Sequence, residues 1–248
     1  MEINKIYNEN CLNTMERMPN NFLDLTVTSP PYDNLRSYNG YCFDFENIAK
    51  ELFRVTKIGG VVVWIVGDQT KNGSESGTSF RQALFFKDIG FNLHDTMIYY
   101  KEGPPLTHNR YEQKFEYMFV FSKKRPKTFN GIRENSLNAG KPQKGTFRHN
   151  GNDLKPKHKQ GIVNDTKLIG NIWKYKVGGV NLGHPAIFPE QLAADHIKSW
   201  SNENDLIYDP FIGSGTTAKM AKLNNRNYIG SEISSEYFKI AKTRIDNG

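Results

Sequence analysis

The sequence contains few cysteines and no long apolar run. Only Cys11 and Cys42 occur among its 248 residues, too few for a disulfide framework, and its histidines lack the spacing of a zinc site. We therefore expect a reducing, cytoplasmic environment and no bound metal. The longest apolar run, residues 61–66, is far shorter than the roughly 20 residues of a membrane-spanning helix. MEINKIYNEN at the amino terminus lacks the apolar core of a secretion signal. We therefore predict neither a membrane partner nor a classical secretion signal.

The distribution of apolar and turn-forming residues predicts an α/β fold with a mostly parallel, twisted sheet and helices on both faces. An apolar run over residues 22–28 predicts a strand that stops at two prolines, which cannot donate to a strand ladder. Asp44 is suited to cap a helix that ends at Gly59-Gly60, and VVVWIV then predicts a fully buried strand. The other predicted elements are helices over 79–88, from 189, after the glycines and after Ser234 or Ser235, and strands over 91–100, 115–121, 205–209 and 228–230.

The positive charge is concentrated in one segment. Residues 122–178 contain 14 Lys or Arg against 3 Asp or Glu, a net charge of +11, whereas the rest of the chain has 19 against 23, a net charge of −4. The segment mixes these cations with Asn, Gln and a few aromatic residues, a composition that favours contacts with phosphates and base edges. We interpret it as an irregular insertion that binds nucleic acid; the alternative is a solvated loop without a partner.

The first candidate site is the glycine-containing loop DPFIGSGTT, residues 209–217, between a buried strand and a helix. Glycines allow the backbone to approach a ligand closely, and Glu232, nineteen positions after Gly213, stands where an acidic residue holds the hydroxyls of a ribose. The third glycine of a dinucleotide site is absent, as is the GK[ST] ending of a phosphate-binding loop. The loop thus predicts an adenosine cofactor that lacks phosphates, although a simple connecting turn remains the alternative.

The second candidate site is Ser29-Pro30-Pro31-Tyr32, at the carboxyl end of a predicted strand, where open α/β sheets bind ligands. The proline carbonyls and the Ser29 hydroxyl present acceptors in a fixed direction. Two acceptors that draw the N–H bonds of a nucleobase amine out of the ring plane would localise its lone pair and direct it at an electrophile. Tyr32 would stack on a base removed from the duplex. By itself, the motif is also compatible with an ordinary proline turn.

Together, and in this order, TSPPY, the basic segment, HPAIFPEQL, DPFIGSGTT and GSEIS resemble a permuted, beta-class amino-group DNA methyltransferase of the N-4/N-6 family. The resemblance covers nearly the whole chain outside the basic segment. It implies a Rossmann-like fold, S-adenosylmethionine as cofactor, double-stranded DNA as substrate and direct methyl transfer to the amine of a flipped base. It divides the chain into a catalytic half (1–121), a basic target recognition insertion (122–178) and a cofactor-binding half (179–248).

The resemblance also implies roles for individual residues. Residues 9–11 replace the Gly-Asp-Cys of the family, so that Asn10 would contact the cofactor adenine through an amide instead of a carboxylate. The implied catalytic residues are Ser29, Pro30, Pro31 and Tyr32. The implied cofactor-binding residues are Asn10, Cys11, His184, Pro185, Phe188, Asp209, Pro210, Phe211, Gly213, Ser214, Gly215, Thr216, Thr217 and Glu232. The candidate DNA-binding residues are Arg36, Lys141, Lys144, Arg148, Lys155, Lys157 and Lys159.

The target base is left open between cytosine and adenine. Serine at the first motif position is commoner among the cytosine enzymes of the resembling family, so Ser29 favours N4-methylcytosine over N6-methyladenine. Methylation at the cytosine ring carbon would need an activated cysteine, and we interpret Cys11 and Cys42 as core or turn residues. A DNA-binding module that keeps the fold without catalysis is the alternative from another class. The resemblance is compatible with a cognate restriction endonuclease and with a homodimer.

Overall fold

The computed structural model describes residues 1–31, 43–102, 111–143, 146–148, 154–156, 161–176 and 189–247. For residues 102, 146–148, 154–156 and 176, it describes the backbone alone. The chain forms two compact units. One comprises Met1–Asn130 and Asn171–Gly248, and the other Gly131–Gly170.

The larger unit contains six helices and ten strands within the described residues. Its strands are β1 (Lys5–Tyr7), β2 (Leu23–Thr28), β3 (Thr56–Val66), β4 (Thr70–Lys71), β5 (Ser74–Glu75), β6 (Asn92–Glu102), β7 (Phe115–Ser122), and, after β8 to β11 of the smaller unit, β12 (Ile172–Lys176), β13 (Leu206–Asp209) and β14 (Asn227–Ser231). Its helices are α1 (Cys11–Glu16), α2 (Phe45–Val55), α3 (Thr78–Asp88), α4 (Glu190–Trp200), α5 (Thr216–Leu223) and α6 (Ser235–Asp246). The smaller unit contains β8 (Arg133–Asn135), β9 (Thr146–Arg148), β10 (Leu154–Pro156) and β11 (Thr166–Leu168).

Eight strands of the larger unit form one sheet in the order β1-β14-β13-β2-β3-β7-β6-β12. Seven of them run in the same direction, and only β7 is antiparallel to its neighbours. The carboxyl ends of β1, β14, β13, β2 and β3 therefore meet at one edge of the sheet. This architecture confirms the predicted Rossmann-like α/β fold with a mostly parallel sheet.

Alternate residues of β3 face opposite layers of helices. Trp64 and its neighbours two positions away belong to a core that includes residues of α1, α2 and α3. On the other face α4 packs, with His196 Nε2 lying 3.2 Å from Met118 Sδ of the neighbouring β7. The strand is hydrophobic throughout because both of its faces are covered. None of the helices within the described residues is long and apolar enough to cross a membrane.

The helix capped by Asp44, α2, does not end at Gly59-Gly60, so its predicted end is wrong. Helix α2 ends at Val55, where the Thr56 hydroxyl donates to the Leu52 carbonyl oxygen over 2.6 Å. Gly59 and Gly60 lie instead in the first part of β3, and the Gly59 N–H donates to the carbonyl oxygen of Lys123. Gly59 has a φ of 80°, a conformation that suits a helix end and an irregular strand equally well, so the sequence pattern did not distinguish them.

The smaller unit is built from short antiparallel pairs, β8 with β11 and β9 with β10. The isolated bridge between Pro142 and Ile162 lies beyond the β8–β11 pair. Residues 122–130 and 171–176, which the sequence analysis assigned to the insertion, belong to the larger unit. There β12 extends the main sheet by pairing with β6, and Trp173 is buried. The assignment of residues 122–178 to target recognition stays a prediction.

Candidate active site

The proline motif and the glycine-containing loop follow adjacent strands. β2 and β13 are parallel neighbours, with Leu25 opposite Ile207. The Thr28 hydroxyl, at the end of β2, donates to Asp209 Oδ1, at the end of β13, over 2.6 Å. From the loop side, the Thr217 hydroxyl donates to the Val27 carbonyl oxygen over 3.2 Å. Two motifs about 180 positions apart in the sequence therefore converge at the carboxyl edge of the sheet.

Asp209 is a buried carboxylate with one oxygen unsatisfied. Its Oδ1 accepts from Thr28 and from the Phe211 N–H at 3.0 Å. Oδ2 is inaccessible to solvent and accepts no hydrogen bond of acceptable geometry from any residue that the structure describes. Burial raises the pKa of Asp209 to about 6, against the lowering effect of Thr28, Thr217 and the Phe211 N–H. An unsatisfied, buried carboxylate oxygen indicates a missing donor.

The loop after Asp209 presents backbone where side chains would interfere. Gly213 and Gly215 have φ values of 50° and 86°, in the left-handed region that favours glycine. The Gly213 N–H donates to Glu232 Oε2 over 2.9 Å. Helix α5 begins directly after Gly215, which has no side chain to cap the free N–H groups of the helix. The loop thus leads into an uncapped helix amino terminus, the kind of terminus whose N–H groups bind polar ligands.

Glu232 follows β14, beside the amino-terminal strand. Its backbone N–H donates to the Tyr7 carbonyl oxygen over 3.0 Å, and the Asn8 amide donates to the Glu232 carbonyl oxygen over 2.7 Å. The Glu232 carboxylate accepts from Gly213 and from the Ser234 N–H. Burial raises its pKa. The residue predicted to hold a ribose therefore lies at the same edge as the glycine-containing loop, next to the residues that follow β1.

Asn10 and Cys11 occupy the start of α1. The Asn10 side-chain oxygen accepts from the Leu12 N–H over 2.9 Å and so caps the helix. Its predicted contact with adenine therefore competes for an oxygen that already has a partner. Cys11 is buried, and burial raises the pKa of its thiol to about 12. A thiol in this state is protonated at neutral pH, unlike the thiolate that a covalent route to the ring carbon requires.

The proline loop begins immediately after the shared hydrogen bond. Ser29 is half-buried, Pro30 is buried and Pro31 is half-buried. Thr28, which directs its hydroxyl to Asp209, therefore fixes the chain one residue before the proposed acceptors. Other predicted positions fall outside the described residues; these are Tyr32, Arg36, Cys42, Lys144, Lys157, Lys159, His184, Pro185 and Phe188. The side chains of Arg148 and Lys155 also lie outside the description.

Among the described residues of the basic segment, some lysines are exposed and others bond to groups within the larger unit. Lys141 is exposed in the smaller unit and donates to Asn138 Oδ1 over 3.2 Å. Lys127 instead forms a salt bridge of 2.7 Å with the buried Asp24, and Lys123 donates to the Phe53 carbonyl oxygen over 2.7 Å. Part of the charge counted in the basic segment therefore stabilises the larger unit at the edge of the sheet opposite the candidate site.

Sequence reasoning missed one residue near the site. Arg244 of α6 donates to the carbonyl oxygen of Ser214 over 2.9 Å and to the hydroxyls of Ser214 and Thr216. A partner of Arg244, Glu190, comes from the start of α4. No local sequence pattern relates positions separated by 30 and 54 residues. Among the described residues, no group of three or more His, Cys, Asp or Glu could hold a metal ion.

The fold is that of Rossmann-like methyltransferases. The PvuII DNA methyltransferase (cytosine-N4-specific) matches with a TM-score of 0.71 and 20% identity, over 97% of this chain and 85% of that one. The putative DNA modification methylase TTHA0409 of Thermus thermophilus, complexed with S-adenosyl-L-methionine, matches with a TM-score of 0.65 and 22% identity, over 98% and 94%. At these identities the likeness shows the shared fold.

The chain belongs to the N6_N4_Mtase DNA methylase family, whose model matches residues 23–243. Among curated relatives, the orphan methyltransferase M.BamHII of Bacillus amyloliquefaciens is 57% identical over 236 residues, which cover 91% of this chain and 89% of the relative. The type II methyltransferase M.BglII of Bacillus subtilis is 29% identical, over 96% of this chain and 68% of the relative. The chain is thus a DNA methyltransferase of the amino-group family, and its substrate is double-stranded DNA.

The family uses S-adenosylmethionine, and the described residues fit this cofactor. The unsatisfied Asp209 Oδ2 lacks a donor, and the α-ammonium group of the methionine part is a donor that would suit a carboxylate. Glu232 retains acceptor capacity toward ribose hydroxyls, because a carboxylate has about four lone-pair sites. The absence of a third glycine also agrees with a cofactor that has no pyrophosphate to accommodate.

Proposed function

We propose that this enzyme methylates the exocyclic amine of cytosine within a specific DNA sequence and forms N4-methylcytosine. The observation that carries the proposal is the hydrogen bond between Thr28 and Asp209. It joins the end of the strand that leads into Ser29-Pro30 to the carboxylate proposed to bind the cofactor. A base amine held by the proline loop would then face the methyl donor across one crevice.

The cofactor would be held at three points. Asp209 and the loop from Gly213 to Thr217 would bind the methionine part, Glu232 the ribose and Asn10 the adenine. Pro210 and Phe211 would also line the cofactor site. His184, Pro185 and Phe188 are proposed to contribute from the preceding motif, and Cys11 from the start of α1. When bound, S-adenosylmethionine supplies an electrophilic methyl group on a positively charged sulfur.

The protein's own contribution is to position and polarise the amine. The Ser29 hydroxyl and the Pro30 carbonyl would each accept one N–H of the amino group, which is a poor nucleophile while its lone pair is delocalised into the ring. Pro30 is buried, so its carbonyl dipole acts with little screening by water. Tyr32 would stack on the flipped base. The nitrogen attacks directly and the methylated amine then releases one proton to solvent, so this route requires no covalent enzyme intermediate, in agreement with the neutral Cys11 thiol.

Cytosine is proposed on the identity of Ser29. A serine hydroxyl is a weaker acceptor than the carboxylate of an aspartate, and serine at this position is typical of cytosine enzymes in the family. The adenine amine presents the same two N–H donors. The loop chemistry alone therefore permits both bases, and the product has to be identified directly.

The experiment incubates the purified enzyme with isotopically labelled S-adenosylmethionine and mixed-sequence genomic DNA, followed by mass spectrometry of the nucleosides. Labelled N4-methyl-2′-deoxycytidine is expected. Labelled N6-methyl-2′-deoxyadenosine would overturn the base assignment, and labelled 5-methyl-2′-deoxycytidine would overturn the amine mechanism. Cofactor binding without methyl transfer to any DNA would instead identify a DNA-binding module that keeps the fold.

Ser29→Ala tests the proposed acceptor. We expect turnover to fall about a hundredfold or more, because one of two oriented acceptors is lost, while the dissociation constant of S-adenosylmethionine stays within about twofold of the wild type. Ser74→Ala is the matched control, because Ser74 is exposed and its hydroxyl donates to the neighbouring Glu75 carbonyl oxygen. Full turnover of the Ser29→Ala enzyme would remove this residue from the mechanism.

A further inference from the structure

The glycine-containing loop rests on the carboxyl-terminal helix. Arg244 of α6 has only 15% of its side chain exposed. One guanidinium nitrogen donates to the Ser214 carbonyl oxygen at 2.9 Å, to the Ser214 hydroxyl at 2.8 Å and to the Thr216 hydroxyl at 3.2 Å. Three acceptors on both sides of Gly215 therefore converge on a single nitrogen of Arg244.

The other end of the guanidinium group is also engaged. Its second terminal nitrogen donates to Glu190 Oε1 over 2.6 Å, and Lys219 donates to the same oxygen over 2.8 Å. Burial alone would raise the pKa of Glu190, but Lys219 and Arg244 outweigh it and leave the pKa below its usual value. Arg244 thus connects three elements: α6, the loop before α5, and the first residue of α4.

The charges of this network offset one another. A cation at the amino terminus of a helix is unfavourable, because the helix dipole places positive partial charge there. Arg244 occupies such a position beside α5, and the ionised Glu190 compensates. The planar guanidinium group donates to the loop and to the carboxylate at once, whereas a lysine ammonium would act as a point charge.

Packing supports the same connection. A Cβ atom on Gly215 would lie 3.0 Å from the Ala241 Cα and 3.1 Å from its Cβ. Helix α6 therefore contacts the loop backbone directly, three residues before Arg244. A shift of the helix or a loss of its arginine would move the loop between Gly213 and Thr216.

We propose that Arg244 is a positioning residue for cofactor binding. It fixes Ser214 and Thr216 so that the loop between Asp209 and α5 is held ready for S-adenosylmethionine, and Glu190 holds the arginine in place. The inference rests on the cofactor site of the proposed function. Arg244 itself touches neither the base nor the reacting atoms in this assignment, so its effect is confined to the cofactor.

The test compares Arg244→Lys with Lys222→Met. Lys222 donates to the Ile245 carbonyl oxygen over 2.8 Å and so joins α5 to α6 at a point away from the contacts of Arg244. For Arg244→Lys we expect the dissociation constant and the KM of S-adenosylmethionine to rise about tenfold, because a charge-assisted network is lost. The kcat at saturating cofactor and the KM of DNA should stay within about twofold of the wild type. Lys222→Met should match the wild type in every parameter.

The outcomes separate the inference from the function on which it rests. Wild-type cofactor affinity in Arg244→Lys, or a lower kcat with unchanged cofactor affinity, would overturn the positioning role and leave the methyltransferase proposal intact. Failure of the wild-type enzyme itself to bind S-adenosylmethionine would reject the proposed site and the inference together. If Arg244→Lys does not fold, Glu190→Gln tests the same network with a neutral side chain of equal size. It should weaken cofactor binding about threefold, and wild-type affinity in this variant overturns the inference.

Discussion

The protonation of Asp209 should couple cofactor binding to pH. This carboxyl group is buried, and its pKa is raised to about 6 in the cofactor-free protein. At pH 5 about nine tenths of the molecules would therefore carry a neutral Asp209, and at pH 7 about one tenth. In the proposed site, the α-ammonium group of S-adenosylmethionine would lie beside this carboxyl group and favour its ionised form, because an opposite charge nearby lowers the pKa of a carboxyl group.

Cofactor binding must therefore release a proton from molecules in which Asp209 is protonated. The affinity should fall about tenfold between pH 7 and pH 5, because the protonated fraction must first be ionised. Asp209→Asn should remove most of this dependence. It should also weaken binding at pH 7 by about ten- to a hundredfold, because a charged hydrogen bond is lost.

Isothermal titration calorimetry with S-adenosylmethionine between pH 5 and pH 7, in two buffers with different ionisation enthalpies, gives both the affinity and the number of protons released. We expect nearly one proton per cofactor at pH 5 and almost none at pH 7. Glu232 also has a raised pKa, so Glu232→Gln serves as the control and should keep most of the pH dependence. An affinity that falls as the pH rises, or a slope that survives Asp209→Asn, would refute the reasoning.

The same raised pKa makes the folding stability of the cofactor-free protein fall as the pH rises, whereas its affinity for the cofactor should increase. An unfolded aspartate titrates near pH 3.9, whereas Asp209 in the cofactor-free fold titrates near 6. The stability associated with its protonated form is complete below about pH 4 and is lost as the pH rises toward 6, by about 3 kcal/mol. In the Asp209→Asn variant, the free energy of unfolding should not show this loss between about pH 4 and pH 6.

Two further predictions concern the loop and the DNA contact. Gly215→Ala should lower the free energy of unfolding by about 2 kcal/mol more than Gly73→Ala in urea titrations, because both glycines have positive φ but only Gly215 would place a Cβ 3.0 Å from Ala241; equal losses would contradict the packing argument. Lys141→Gln should reduce the slope of log affinity for DNA against log salt by about one. Arg125→Gln, at an exposed position just after β7, should leave the slope unchanged, and a wild-type slope in Lys141→Gln would remove Lys141 from the DNA interface.

The elements that could be predicted are determined by residues close to one another in the sequence. The run VVVWIV indicates a buried strand by itself, because both faces of the strand are covered by helices. Ser234 was one of two predicted caps, and its hydroxyl accepts from the Tyr237 N–H at the start of α6. Strand β1 was missed because it has three residues, of which only Ile6 is buried. So short a run carries no usable alternation.

The contacts within the site could not be predicted in the same way. The hydrogen bond from Thr28 to Asp209 and the contacts of Arg244 join residues far apart in the chain, where no periodicity relates them. The net charge of the basic segment likewise does not show which of its lysines form ion pairs within the fold. Lys127 was counted with the basic segment, yet it neutralises the buried Asp24 together with Lys57. A lysine that pairs with a buried carboxylate is not available to a phosphate.

The strand order explains why both ends of the chain are needed for one cofactor site. The late strands β13 and β14 lie between β1 and β2, which come from the beginning of the chain. Asp209 ends β13 and Glu232 follows β14, whereas Asn10 follows β1 and Ser29 follows β2. The proposed cofactor site therefore needs β13 and β14 in the sheet, and the proposed catalytic loop acquires its buried neighbour, Asp209, with the same strands. A fragment that ends before β13 would retain Ser29 and Pro30 but would lack the carboxylate to which Thr28 donates.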